Sequence, residues 1–271
     1  MAQKSRISVG AVSFLNTKPL IYPILNCELP SKEISLSLHV PSRLATLLSQ
    51  NEIDVGLIPI VEYFRANERE DSYRILPDIS ISSRGSVLSI QLFSRVPIHD
   101  IKKIALDSSS RSSITLLKIL LAEKYQLSPT FISCEPSVNP NSIETDAVLL
   151  IGDAALKNLG ATEYSYDLGK EWHDLTELPF VYACWVARGD VNLGNAPKLL
   201  TDSRYLGIKQ IPEIAKIESV KLGLPEQLCK RYLQEHIHFD LDESAIAGLE
   251  SFYELAVKNK LVKPSGNLHF V

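Results

Sequence analysis

Cysteine, methionine and tryptophan are scarce, at four, one and two in 271 residues. Cys27, Cys134, Cys184 and Cys229 stand far apart with no C-x-x-C pair. That spacing argues against a disulfide framework or a thiolate metal site, and it suits buried thiols in a reducing compartment. The six histidines are also scattered, so no metal is expected. No apolar run approaches the roughly 20 residues of a membrane helix. The opening MAQKSRISVGAVSF passes from a short charged start into strand-like alternation. It has neither the apolar core of about 7–15 residues nor the cleavage site of a secretory leader, so a cytoplasmic location is expected. A formal charge of −4 offers no basic field for nucleic acid and no cationic surface for a membrane. A small anionic ligand would have to be drawn by local groups. No repeat, low-complexity tract or tethering linker interrupts the chain.

What the chain does have is a concentration of hydroxyls. Residues 104–121 read IALDSSSRSSITLLKILL: an apolar strand, a polar turn, then apolar residues at helical spacing from Ile114. Ser108, Ser109, Ser110, Arg111, Ser112 and Ser113 therefore gather at a helix N-terminus, where free backbone N–H groups and the positive end of the macrodipole favour a carboxylate or phosphate. Arg111 adds a fork for the same anion. Ordinary capping would use one or two such residues; six in succession read better as an anion site, although capping remains the alternative.

The remaining pattern is α/β. Arg6–Ala11 alternates as a first strand, a short helix runs from Pro19 to about Leu25, and Ile34–Val40 alternates as a second strand. A helix from Pro41 and a buried strand Ile53–Ile60 complete a β–α–β–α–β start, as in a doubly wound sheet. Gly56 in that strand permits close approach of a ligand or of another backbone. Val87–Phe93 reads as a long strand between two lobes, and Asp146–Asp153 as a strand ending in Gly152-Asp153 before a helix. Val181–Ala187 reads as a strand returning to the first lobe, and from Asn195 the chain turns helical. The expected fold is α/β with two lobes, each a mostly parallel sheet flanked by helices and with a ligand cleft between. Lobe one takes residues 1–93 and 188–271, lobe two takes 94–187, and hinge closure is the expected motion.

VSFLNTKPL (12–20), NEIDVGLIPIVEY (51–63), RGSVLS (84–89), ALDSSSRSS (105–113), DAVLLIGDAAL (146–156) and DLGKEWHDLTELPFVYACWVAR (167–188) together resemble the chorismate dehydratases of the futalosine route to menaquinone. The resemblance covers most of residues 6–190 and only the general character of the helical C-terminal third. It implies a fold like type II periplasmic binding proteins. It also implies loss of water from chorismate, without metal or organic cofactor, to give 3-[(1-carboxyvinyl)oxy]benzoate. Asn16 matches the family's asparagine in the Phe-Leu-Asn motif, Ser89 its pocket serine, and 108–113 its carboxylate-binding turn. Arg84 and Ser86 depart from the usual pattern and carry no role. A related lyase of the same route, of the 1,4-dihydroxy-6-naphthoate synthase type, usually carries a histidine where this chain has Gly152-Asp153 and a Ser-Pro-Cys-Pro-Asn opening where this one has Ser13-Phe14-Leu15-Asn16. A non-catalytic anion-binding protein is the third reading.

The chemistry suits these residues. Loss of the proton at ring C3 of chorismate spreads charge into the ring carboxylate, and loss of the C4 hydroxyl gives an aromatic ring. Fixed donors help most where that charge accumulates. Asn16 is a poor base and is assigned to positioning, with direct proton abstraction by it as a hypothesis; the substrate's own side-chain carboxylate can take the proton, and Asp153 is the other candidate base. Asn16 and Asp153 are also plausible helix caps, and Ser89 a structural strand residue. Gly152 is grouped with the substrate-binding corner. The only partner expected is the small-molecule substrate, bound by a monomer or homodimer.

Overall fold

The computed structural model describes residues 6–29, 33–67, 73–136, 138–264 and 267–271. Alternating β-branched runs and amphipathic helices produce, in chain order, β1 (Ile7–Val12), α1 (Lys18–Leu25), β2 (Ile34–His39), α2 (Pro41–Ser49), β3 (Val55–Pro59) and α3 (Ile60–Ala66). There follow β4 (Tyr73–Ser83), β5 (Ile90–Ser94), β6 (Lys103–Asp107), α4 (Ser112–Glu123), β7 (Thr130–Cys134), β8 (Ala147–Ile151) and α5 (Gly152–Lys157). The rest is β9 (Tyr164–Asp167), α6 (Leu168–Thr176), β10 (Phe180–Arg188), α7 (Ala196–Lys209), α8 (Ile211–Leu222), α9 (Glu226–Arg231) and α10 (Glu243–Lys258).

The strands form two sheets, β2-β1-β3-β10-β4 and β7-β6-β8-β5-β9. In each, four strands point one way and the fourth in order, β10 or β5, runs against its neighbours. Each reversed strand is the one laid down as the chain passes into that sheet. The two-lobed α/β architecture is therefore as expected, but the crossings differ. Residues 90–93 belong to the second sheet and 180–187 to the first, so the passages fall at about 84–89 and 177–179 rather than at 93 and 188.

The expected strand Val87–Phe93 begins only at Ile90. The cause is Asp167, whose carboxylate accepts the Val87 and Leu88 N–H groups at 2.9 and 2.7 Å and the Ser86 hydroxyl at 2.7 Å. Those bonds hold the segment in a turn, with Leu88 at φ 60°, rather than in a ladder. Cys184 and Cys229 are buried, but Cys27 is exposed and Cys134 half-buried, contrary to the expectation of four buried thiols.

The C-terminal helices are not simply part of lobe one. α7 packs backbone to backbone on α1, where a side chain at Gly207 would sit 1.8 Å from the Pro19 carbonyl oxygen. α10 packs on β10 and also reaches α4, where Lys258 Nζ and Asn259 Nδ2 meet the Glu123 carboxylate at 2.7 and 2.8 Å. No helix among the described residues is long and apolar enough to cross a membrane.

Candidate active site

Carboxyl ends of strands from both sheets face one another across a cavity of about 610 Å3, open mouth included, as open α/β sheets arrange their ligand crevices. β1 leads into Phe14 and Asn16, β3 supplies Leu57 and Pro59, β6 leads into Ser109–Ser113, and β8 delivers Ile151 and Gly152. Val12, Ile81, Ile90 and Tyr182 complete an apolar wall. Arg111 is the one charged residue in the described lining.

At the serine corner, Asp107 ends β6 fully buried. Its Oδ1 accepts the Ser109 N–H at 2.8 Å and the Ser109 hydroxyl at 2.6 Å, an Asx-type turn that folds the chain back toward α4. Burial pushes the Asp107 carboxyl above its ordinary range, the Ser109 bonds opposing. α4 then begins at Ser112 with Arg111 as N-cap and no side chain capping it, two residues before the expected Ile114. The serines are therefore not spent as caps. Ser110 Oγ is buried without a hydrogen-bond partner, and Ser110, Ser112 and Ser113 all line the cavity. A buried hydroxyl left unpaired costs about 1–3 kcal/mol, which a ligand oxygen placed here would recover. Ser112 Oγ also accepts the Val61 N–H of α3 at 3.3 Å, across the lobes. The Arg111 side chain is half-exposed, its Nε 4.0 Å from Glu62 Oε1, loosely enough held to turn toward an anion.

Asn16 lies in the turn Leu15–Thr17 and caps neither that turn nor α1. Its amide oxygen has only a long 3.5 Å contact from the Thr17 hydroxyl, and it lines the cavity. Ser89 lines it too, from the crossing turn rather than from a strand. Its N–H donates to Val87 O and its carbonyl accepts the Gly152 N–H, both at 2.7 Å.

Gly152 sits at φ +59°, and a Cβ there would come within 3.3 Å of the Phe14 ring. Only glycine suits that backbone while letting a ring from lobe one lie on lobe two. Three expected site residues fall outside the lining. Ser108 is exposed, its N–H donating to Cys134 O at 3.1 Å. Gly56 is buried against Ile53, Ile58 and Leu48, so its smallness serves packing in lobe one. Asp153 is neither cap nor lining: Oδ1 accepts the Leu15 N–H at 3.1 Å across the lobes. Burial raises its carboxyl above the ordinary value, partly offset by that N–H and by Lys157 and Lys18.

Two residues beyond the sequence reading shape the site. Tyr232, from the helical C-terminal third, donates its hydroxyl to Ser89 Oγ at 2.8 Å. Asp167 builds the turn that presents Ser89 and also caps α6. Asp167 opens the family-like run DLGKEW, a signal present but given no role; Tyr232 lies in RYLQEH, where no motif marks it. Among the described residues no group of three or more His, Cys, Asp or Glu side chains could hold a metal ion.

Two lobes of this topology, with the cavity at their facing strand ends, define a molecule of the periplasmic-binding-protein-like class. A Candida albicans protein described as having the generic periplasmic binding protein fold superposes with TM-score 0.68 at 14% identity, over 97% of this chain and 92% of that one. A crystal structure from Archaeoglobus fulgidus superposes with TM-score 0.77 at 20% identity, over 95% and 98%. The chain belongs to the menaquinone biosynthesis family, whose model matches residues 7–258. It is 31% identical over 238 residues to a chorismate dehydratase of Thermus thermophilus, spanning 79% of this chain and 84% of that one.

Proposed function

We propose that the chain dehydrates chorismate to 3-[(1-carboxyvinyl)oxy]benzoate, a hydro-lyase reaction run by its own side chains and by the substrate, without a cofactor. The kinship with the Thermus thermophilus enzyme carries the reading, and the cavity fits it. An apolar wall accepts the ring, and the unsatisfied Ser110 hydroxyl with the uncapped start of α4 accepts a carboxylate. Arg111 supplies the countercharge. No carboxylate or imidazole is among the described lining residues, which favours the substrate's own side-chain carboxylate as the acceptor of the C3 proton. The C3–H electron pair moves into the ring system toward the ring carboxylate, held by fixed donors that strengthen as charge grows. The C4–O bond then breaks, and the departing hydroxyl takes up a proton to leave as water. Asn16 and Ser89 orient the reacting edge.

The test is incubation of purified protein with chorismate and identification of the product by mass. The dehydratase yields an enolpyruvyl-benzoate one water lighter. Quantitative recovery of chorismate would leave a binding protein instead.

A further inference from the structure

Ser89 is buried, and both its backbone groups are already engaged. Its hydroxyl has one proton to give and two lone pairs. The Tyr232 hydroxyl occupies one lone pair from behind, at 2.8 Å, and no described residue accepts the Ser89 proton in return. Tyr232 is itself 1% exposed, and burial raises its phenol well above the ordinary range, so it stays protonated and remains a donor. The Asn16 amide lies close enough to act on the same phenol. One ring from outside both sheets therefore stands behind two of the polar lining residues, Asn16 of lobe one and Ser89 of the crossing turn.

The backbone is built to deliver that ring. α9 ends at Arg231 and gives way to a π-turn, Tyr232–His236, closed by the Ile237 N–H on Tyr232 O at 3.1 Å. A π-turn inserts an extra residue and re-aims the side chains around it, and such turns recur at functional sites. His236 Nδ1 contacts Ser86 O at 2.9 Å, pinning the turn to the segment that carries Ser89.

We infer that Tyr232 is a positioning residue of the dehydration: by donating to Ser89 Oγ it leaves the Ser89 proton aimed into the cavity, toward the oxygen that departs as water. This rests on the dehydratase reading. The test is a double-mutant cycle with chorismate, measuring kcat and KM separately for the wild type, Tyr232→Phe, Ser89→Ala and the double variant, with circular dichroism and Tm confirming the fold of each. Tyr232→Phe is expected to lower kcat about tenfold, the scale of one hydrogen bond, with KM within about twofold. Ser89→Ala is expected to lower kcat about a hundredfold, as removal of a transition-state donor does. In the Ser89→Ala background the Tyr232 change should alter kcat less than about twofold, because the hydroxyl that the phenol aims is gone. An unchanged kcat in Tyr232→Phe, or the same tenfold loss without Ser89, overturns the inference while leaving the dehydratase reading intact. A wild type that fails to convert chorismate sinks both.

Discussion

Asn16 and Arg111 line the same cavity, yet their surroundings assign them different parts of the reaction. Asn16 is held in a tight turn where its amide oxygen takes a long contact from the Thr17 hydroxyl, which leaves that oxygen to a ligand whose geometry changes during reaction. Arg111 is half-exposed beside Glu62, and a charge that meets a carboxylate in both ground and transition states contributes uniform binding. Asn16→Ala is expected to cut kcat about a hundredfold with little change in KM; Arg111→Ala should raise KM about tenfold with kcat nearly kept. Steady-state kinetics on the two variants separate the roles, and identical profiles would contradict the division.

Asp107 illustrates a cost at the same scale. Its buried carboxyl is raised above the ordinary 3.8, so the folded state holds its proton more tightly than the unfolded chain. That contribution is complete below the unfolded pKa and is lost as pH rises through the raised folded value. Asp107→Asn keeps an oxygen for Ser109 and carries no titrating group. Its Tm relative to the wild type is therefore expected to climb as pH rises from about 3.8 upward. A Tm difference flat with pH would show that the carboxylate is not penalised. The sequence made the serine corner legible because six adjacent polar residues break an apolar pattern. It left Tyr232 unmarked because the residue's meaning lies in a contact 143 positions away, and RYLQEH alone reads as one more amphipathic helix turn.

Among the elements, α1 deserves comparison with the turn that precedes it. The expected Pro19 helix start is present: the helix runs Lys18–Leu25, directly after the turn holding Asn16. What the sequence did not disclose is that α7 presses on this helix at Gly207, whose missing side chain admits the Pro19 carbonyl. A methyl group there would meet backbone, which no rotamer change relieves. Gly207→Ala should therefore force α1 and α7 apart at a cost of about 1–3 kcal/mol, lowering Tm by several degrees. It should also lower kcat, because the Asn16 turn moves with α1. Thermal melts and kinetics together check this; a full-speed enzyme with reduced Tm would show that Asn16 is insulated from α1. Residues 87–89 depart from the expected strand for a related reason. Its apolar residues have strand propensity, but the carboxylate of Asp167, far along the chain, takes the N–H groups a strand would have offered to a neighbour.

At the scale of the whole molecule, the facing lobes were legible from the alternation of strands and helices, whereas their borders were not. Apolar strands such as Ile90–Ser94 and Phe180–Arg188 carry no mark of which sheet they join. The structure shows the cleft spanned by Phe14 on Gly152, Val61 N–H on Ser112 Oγ and Leu15 N–H on Asp153, with α10 bracing the rear through Glu123. The Asp153 contact sets a charged acceptor on a backbone N–H of the opposite lobe at the cleft itself, so it bears directly on the balance between open and closed forms. If that is its part, Asp153→Ala populates the open form and raises KM about fivefold to tenfold with kcat largely retained, since only the competent fraction of molecules binds. Asp153→Asn, which still offers an oxygen to Leu15, stays near the wild type. Small-angle scattering should find the free Ala variant larger than the free wild type, and the two alike once saturated with chorismate. A base in the reaction behaves otherwise: both substitutions would abolish turnover while scattering stayed unchanged. That outcome would move the C3 proton from the substrate's own carboxylate to Asp153 and require the carboxyl to swing from Leu15 into the cavity, so these two variants decide between a latch and a catalyst.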